Sequence, residues 1–298
     1  MKLRSGIEEA LSDINDHNVV FLIAPTGYGK TSAFHYFYWN MRQKWNRIQH
    51  VLPLRALIYD VVKGAIIRGI PSNDVSYQAM ISSIKLNING NEVNVHKDPY
   101  FSNHYNVTTY DSYLWTFYVC PLAEIDHNYA HYDVGFLMAS TGIIVFDEVH
   151  LVMATESIGD PNKVGKEYDK LLSITSNTIR IIASLEGRIL IMSATVPVSF
   201  TEYILSQLKG IHKEGIPSIN ICGGKQMLHY YRSIANLNKV RFHDITKEYN
   251  DVAKEYVSKV KTFTSAKSIK DDLRKVISNS NIKSILIVCN TVRRLSLI

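Results

Sequence analysis

Short apolar, β-branched runs alternate along the chain with segments whose apolar positions recur at helical spacing. Residues 18–24 (NVVFLIA) are apolar toward both faces and predict a fully buried strand. Residues 30–43 follow with helical periodicity. Residues 49–54 predict a second strand and residues 55–68 the helix after it. Residues 106–109, 142–146 (GIIVF) and 188–192 (RILIM) predict further strands, and residues 197–209 a helix. Continuous apolar strands separated by helices imply an α/β fold, a parallel sheet covered by helices on both faces. Residues 84–95 (IKLNINGNEVNV) alternate instead about Asn89 and Gly90. That pair suits a two-residue turn, so a β-hairpin insertion is expected there. Beyond residue 209 the pattern loosens. Residues 210–224 are rich in turn formers, so a first domain of residues 1–210 is expected. Residues 268–278 (helix) and 283–289 (strand) predict the start of a second lobe within 211–298, incomplete at its end.

Composition narrows the class. The chain has 298 residues, 46% hydrophobic and 20% charged, enough to bury a sizeable core. No apolar run approaches the roughly 18 residues that span a bilayer. The N-terminus carries acids and no signal-type apolar segment, so a cytoplasmic protein with no membrane partner is expected. A net charge of +6 is compatible with a polyanionic partner. Cys120, Cys222 and Cys289 are far apart in sequence and form no CxxC pair, which argues against a disulfide framework or zinc ribbon.

The chemistry concentrates at two strand ends. After the first strand come Ala24, Pro25, Thr26, Gly27, Tyr28, Gly29, Lys30 and Thr31, and then a helix. Glycines at 27 and 29 let successive backbone N–H groups turn toward a polyphosphate, and the helix N-terminus adds partial positive charge. Lys30 is placed to reach the terminal phosphates and the Thr31 hydroxyl to ligate Mg²⁺, which makes ATP and Mg²⁺ the expected cofactors. Ala24 stands where the general phosphate-loop pattern has a glycine. Gly223, Gly224 and Lys225 lack the rest of that pattern and read as a turn. The strand over 142–146 ends in Asp147, Glu148, Val149 and His150. In a parallel sheet such an end faces the nucleotide. Asp147 is expected to hold Mg²⁺ through water, Glu148 to orient the attacking water, and His150 to hydrogen-bond to a neighbouring strand end.

Further blocks fall in a characteristic order: 53–57 (PLRAL), 107–111 (VTTYD) and Ser193, Ala194, Thr195 at the end of the strand after the acidic box. Together with the phosphate loop they resemble superfamily 2 DEAH/DEVH-box helicases, a RecA-like P-loop NTPase fold. The segments LPLRALIYD, VTTYDSYL, IIVFDEVHL, ILIMSATVP and ILIVCNTVRR are most similar to the helicase of type I CRISPR interference, the Cas-three family. The resemblance implies ATP-driven 3′-to-5′ movement along single-stranded DNA, delivered by a guide-RNA surveillance complex and cut by a nuclease. It implies backbone contacts from Arg55, Thr108, Thr109, Asn290 and Thr291, with the Ser193–Thr195 segment coupling nucleotide to strand. The family's glutamine that reads adenine is missing near Arg4. Motifs V and VI are also missing, so slow hydrolysis by this chain alone is expected, an arginine finger being worth roughly 10³–10⁵ in rate.

No histidine set at nuclease spacing surrounds His243 and Asp244, and His127 and His131 lack a third ligand, so the HD nuclease is expected on a separate subunit. Tyr110, Tyr113 and Trp115, like the aromatic run over 35–45, are expected to pack in the core. The alternatives are an RNA helicase or restriction-type DNA translocase, or a nucleotide-binding module without turnover.

Overall fold

The computed structural model describes residues 4–81, 83–124, 131–150, 161–209, 217–234 and 239–247. In order these form α1 (Ser5–Asp13), β1 (Val19–Ile23), α2 (Lys30–Arg42), β2 (Ile48–Leu52), α3 (Ala56–Ile67), β3 (Val75–Gln78), β4 (Ile84–Ile88), β5 (Asn91–Lys97), β6 (Tyr105–Thr109), α4 (Tyr110–Tyr118), α5 (Tyr132–Ser140) and β7 (Ile143–Asp147). There follow α6 (Pro161–Ser184), β8 (Arg188–Ser193), α7 (Val198–Leu208), β9 (Ser218–Gly223), α8 (Lys225–Tyr230) and β10 (Lys239–Asp244).

The strands form one sheet in the order β10-β9-β1-β8-β7-β2-β6-β3-β5-β4. Every pairing is parallel except β4 with β5. That exception is the hairpin read from Asn89 and Gly90, both at positive φ (53° and 86°) as a two-residue turn of this hand requires. Every residue of β1, β2, β6 and β7 is buried, which explains the unbroken apolar runs of β1 and of β7 up to Asp147; β2 and β6 bury polar side chains as well. Alternate residues serve opposite faces. Val20 and Leu22 pack with Phe34, Tyr38 and Val62 of α2 and α3. Val19, Phe21 and Ile23 pack with Ile182 of α6 and Phe200 and Ile204 of α7. Each such fully buried aliphatic side chain contributes roughly 1.5–3 kcal/mol.

The domain boundary differs from expectation. The first compact unit runs to residue 246 rather than to 210. Within 217–246, β9 pairs with β1 and β10 with β9, extending the first sheet. The segment SINICG falls within the stretch 210–224 that reads as turn-rich, since Ser218, Asn220 and the following glycines are turn formers. Here Ser218 and Asn220 are buried and bonded to the Asp13 carboxylate of α1, so their polarity is satisfied inside the sheet. The helix and strand read from 268–278 and 283–289 lie outside the described residues.

Because β1, β2, β6, β7 and β8 run the same way, their C-terminal ends line one edge. Register sets Ile23 beside Ser193, Asp147 beside Met192, and Leu52 beside Thr109.

Candidate active site

The loop from β1 to α2 turns at two left-handed glycines, Gly27 (φ 76°) and Gly29 (φ 94°). A Cβ built at either would meet no atom within 4 Å, so the loop borders open space. Lys30 opens α2 and is nearly buried, at 5% exposure. Its ammonium donates to the Ala24 carbonyl at 2.9 Å and the Pro25 carbonyl at 3.4 Å, and stands 3.9 Å from Glu148 Oε1. A buried ammonium answered chiefly by carbonyls is under-compensated, which suits an anionic ligand in the loop. Tyr28 is buried, and the Arg4 guanidinium lies 4.3 Å over its ring while Nη1 donates to the Tyr28 carbonyl at 2.8 Å.

Opposite the loop stands the end of β7. The Thr31 hydroxyl donates to Asp147 Oδ2 at 2.8 Å. Asp147 Oδ1 accepts the Glu148 N–H at 3.0 Å. Glu148 takes φ 50°, a left-handed conformation costing about 1 kcal/mol or more in a residue with a Cβ. His150 Nδ1 lies 2.8 Å from Ser193 Oγ and 3.3 Å from Glu148 Oε2. Ser193 Oγ donates to the Thr195 carbonyl at 2.9 Å, so it accepts from His150. Thr31 and Asp147 thus pair two hard oxygens beside the open loop, a donor set that fits Mg²⁺.

Burial alone would raise the Asp147 carboxyl. Hydrogen bonds from His50 and Thr31, with the nearby Lys30 charge, more than offset this and hold it below the usual carboxylate value. It is therefore an anion at neutral pH.

Residues 5–203 match the family of DEAD/DEAH box helicases. The chain belongs to that family. Among solved structures, this helicase chain is similar to the DUF1998 helicase MrfA bound to DNA, with 17% identity and a TM-score of 0.45 over 74% of this chain and 27% of that one. It is also similar to T. fusca Cas3 with AMPPNP, with 16% identity and a TM-score of 0.47 over 70% of this chain and 23% of that one. The chain spans about a quarter of the length of each. A search of curated proteins finds no match.

The helicase blocks outside the phosphate loop fall along the same edge, with unequal access. Arg55 is exposed after β2 and donates to the Met80 carbonyl at 3.4 Å. The two threonines require a correction. Thr108 is fully buried and donates its hydroxyl to the Gln78 carbonyl at 2.8 Å. Thr109 is 5% exposed and its hydroxyl caps α4, accepting the Ser112 N–H at 3.3 Å. Neither hydroxyl is free for a nucleic-acid backbone; the strand pattern told of β6 but not that its polar side chains are consumed internally. Asn290, Thr291 and the rest of the block over 285–294 lie outside the described residues. Tyr110 and Tyr113 are buried, whereas Trp115 is 43% exposed. In the aromatic helix α2, Tyr38 packs inside while Tyr36 and Trp39 are exposed.

A group that sequence reasoning missed stands behind Asp147. His50 Nε2 lies 3.1 Å from Asp147 Oδ2 and His50 Nδ1 2.7 Å from the Tyr105 hydroxyl. His35 Nε2 lies 3.0 Å from the same hydroxyl. All three are buried. Burial, with the neighbouring His50 and Arg68, pushes His35 down to about 3, so it is neutral at physiological pH. The only trace in the sequence is polar residues at positions the apolar pattern sends inside; their partners could not be read.

Proposed function

We propose that this chain is the ATP-binding part of an ATP-dependent translocase that moves 3′ to 5′ on single-stranded DNA in type I CRISPR interference. The ATP half rests on one convergence: Thr31 meets Asp147 at 2.8 Å while Lys30 stands 3.9 Å from Glu148, four side chains from two strand ends around one open loop. In this reading the loop amides and Lys30 bind the phosphates, and Thr31 with Asp147 holds Mg²⁺, Asp147 through water. The metal ion, when bound, neutralises charge on the phosphate oxygens. Glu148, turned inward by its left-handed backbone, orients water for attack and takes up its proton. His150 ties Glu148 to Ser193 at the end of β8, so the Ser193–Thr195 segment couples the nucleotide site to the strand-binding edge.

The CRISPR assignment is supported by the sequence blocks alone. It brings with it a guide-RNA surveillance complex as the source of the displaced strand and a separate HD nuclease subunit as the cutting partner. Arg55 is the described residue best placed for a phosphate of the strand.

ATP turnover measured with single-stranded DNA and with RNA tests the substrate, and unwinding of 3′-tailed against 5′-tailed duplexes tests the direction. Stimulation by DNA, with preference for the 3′ tail, is expected. Stimulation by RNA alone assigns an RNA helicase instead. Wild-type activity in Lys30→Ala would refute the ATP site itself.

A further inference from the structure

Three polar side chains from three elements form a column beneath the acidic box: His35 on α2, His50 on β2 and Tyr105 on β6. The proton arrangement in that column is fixed by its two ends. At the top, the Asp147 carboxylate only accepts, and its Oδ2 receives both Thr31 Oγ1 and His50 Nε2. His50 therefore carries its proton on Nε2. At the bottom, His35 Nδ1 is buried and has no hydrogen-bond partner, and the Arg68 guanidinium is close by. A bare nitrogen lone pair tolerates that place better than an N–H would. His35 then donates from Nε2 to the Tyr105 oxygen. The Tyr105 phenol, kept protonated by burial and by the Asp147 charge, donates to His50 Nδ1. Every proton points the same way, from His35 through Tyr105 and His50 to Asp147. With Glu148 N–H on Oδ1 and His50 on Oδ2, the carboxylate plane cannot swing.

We propose that His50 is a positioning residue for Asp147, locked in its Nε2–H tautomer by Tyr105 and His35, and that it sets the affinity of the site for Mg²⁺. The proposal rests on the reading of Asp147 as the metal-side carboxylate. Hydrogen-bond partners of metal-side groups commonly alter metal affinity 10–100-fold when removed. The column also joins the nucleotide site to β2, the strand that Arg55 follows, the described residue best placed for a phosphate of the nucleic-acid strand.

Equilibrium binding of a fluorescent ATP analogue to the full chain, titrated with Mg²⁺, tests the proposal. A glutamine amide reaches about where ring Nε2 stands, an asparagine amide about where Nδ1 stands. His50→Asn, which drops the donor to Asp147, is expected to raise the half-saturating Mg²⁺ concentration about tenfold, and His50→Gln to keep it within about twofold of wild type. Tyr105→Phe, which frees the tautomer, should fall between them. Thermal unfolding without metal or nucleotide shows that each variant is folded; if Tyr105→Phe is not, the asparagine and glutamine pair still decides. Wild-type Mg²⁺ dependence in His50→Asn, while Asp147→Asn loses it, overturns the positioning role and leaves the ATP site standing. Wild-type Mg²⁺ dependence in Asp147→Asn overturns both.

Discussion

His35 gives the buried column a measurable cost at low pH. Its ordinary value of 6.5 falls to about 3 in the folded chain, because burial first and then His50 and Arg68 oppose its charge. The unfolded chain takes up a proton near pH 6.5 that the folded chain refuses until about pH 3. A depressed folded value means that stability is complete above the unfolded value and is lost as pH falls toward the folded one. At about pH 5, some 1.5 units below 6.5, the loss is about 2 kcal/mol, taking about 1.4 kcal/mol per unit. At about pH 7.5 it is close to zero. His243 is lowered as well and adds a loss of the same sign, so the wild-type slope alone does not isolate His35. His35→Gln keeps an N–H donor for Tyr105 and cannot titrate. Urea unfolding of both chains at the two pH values, followed by circular dichroism, should show the variant losing about 2 kcal/mol less than wild type on acidification. Equal losses in the two chains would refute the argument, since His35 would then be free to protonate inside the fold.

Three other expectations concern the site and its frame. Glu148→Gln should bind ATP normally and turn it over about 10²–10⁴-fold more slowly, measured by nucleotide affinity alongside phosphate release, because only proton uptake and water orientation are lost. Lys30→Ala should lower turnover about 10²–10³-fold while leaving the thermal midpoint near that of wild type, since the ammonium it removes is answered chiefly by the carbonyls of Ala24 and Pro25. Gly142→Ala should destabilise the chain by more than about 2 kcal/mol in urea, because φ is 94° and the new Cβ would collide with the Arg47 carbonyl oxygen.

The sequence disclosed the layered fold and the two polar strand ends that meet at one edge of the sheet, because both are local. An apolar run names a buried strand, a Gly-Lys-Thr turn names a phosphate loop, and Asn89-Gly90 names a hairpin, each within a few residues. The failures are all non-local. SINICG forms a core strand only because Asp13, about two hundred residues away, absorbs Ser218 and Asn220. Thr108 is unavailable only because Gln78 on the adjacent strand takes its hydroxyl. His50 and Tyr105 have meaning only once β2, β6 and β7 lie side by side. Periodicity reports which side chains go inside, and it is silent on which of them meet.

The column beneath Asp147 is costly for the fold to keep. Apolar side chains of similar size at 35, 50 and 105 would avoid burying two imidazoles and a phenol, and such exchanges are often neutral or stabilising when a whole network is replaced together. What they could not do is hold a buried carboxylate in one orientation. Asp147 with apolar neighbours would lose the donor that lowers its pKa, and burial would then favour its neutral form, which no longer attracts a metal ion. The same logic explains Glu148: its left-handed backbone is strained, yet that turn brings its carboxylate toward Lys30. Strain at 148 and buried polarity at 35, 50 and 105 surround the same few atoms. Their cost has a common physical use, a pair of acidic side chains fixed in place before any nucleotide arrives, so that binding need not reorganise it.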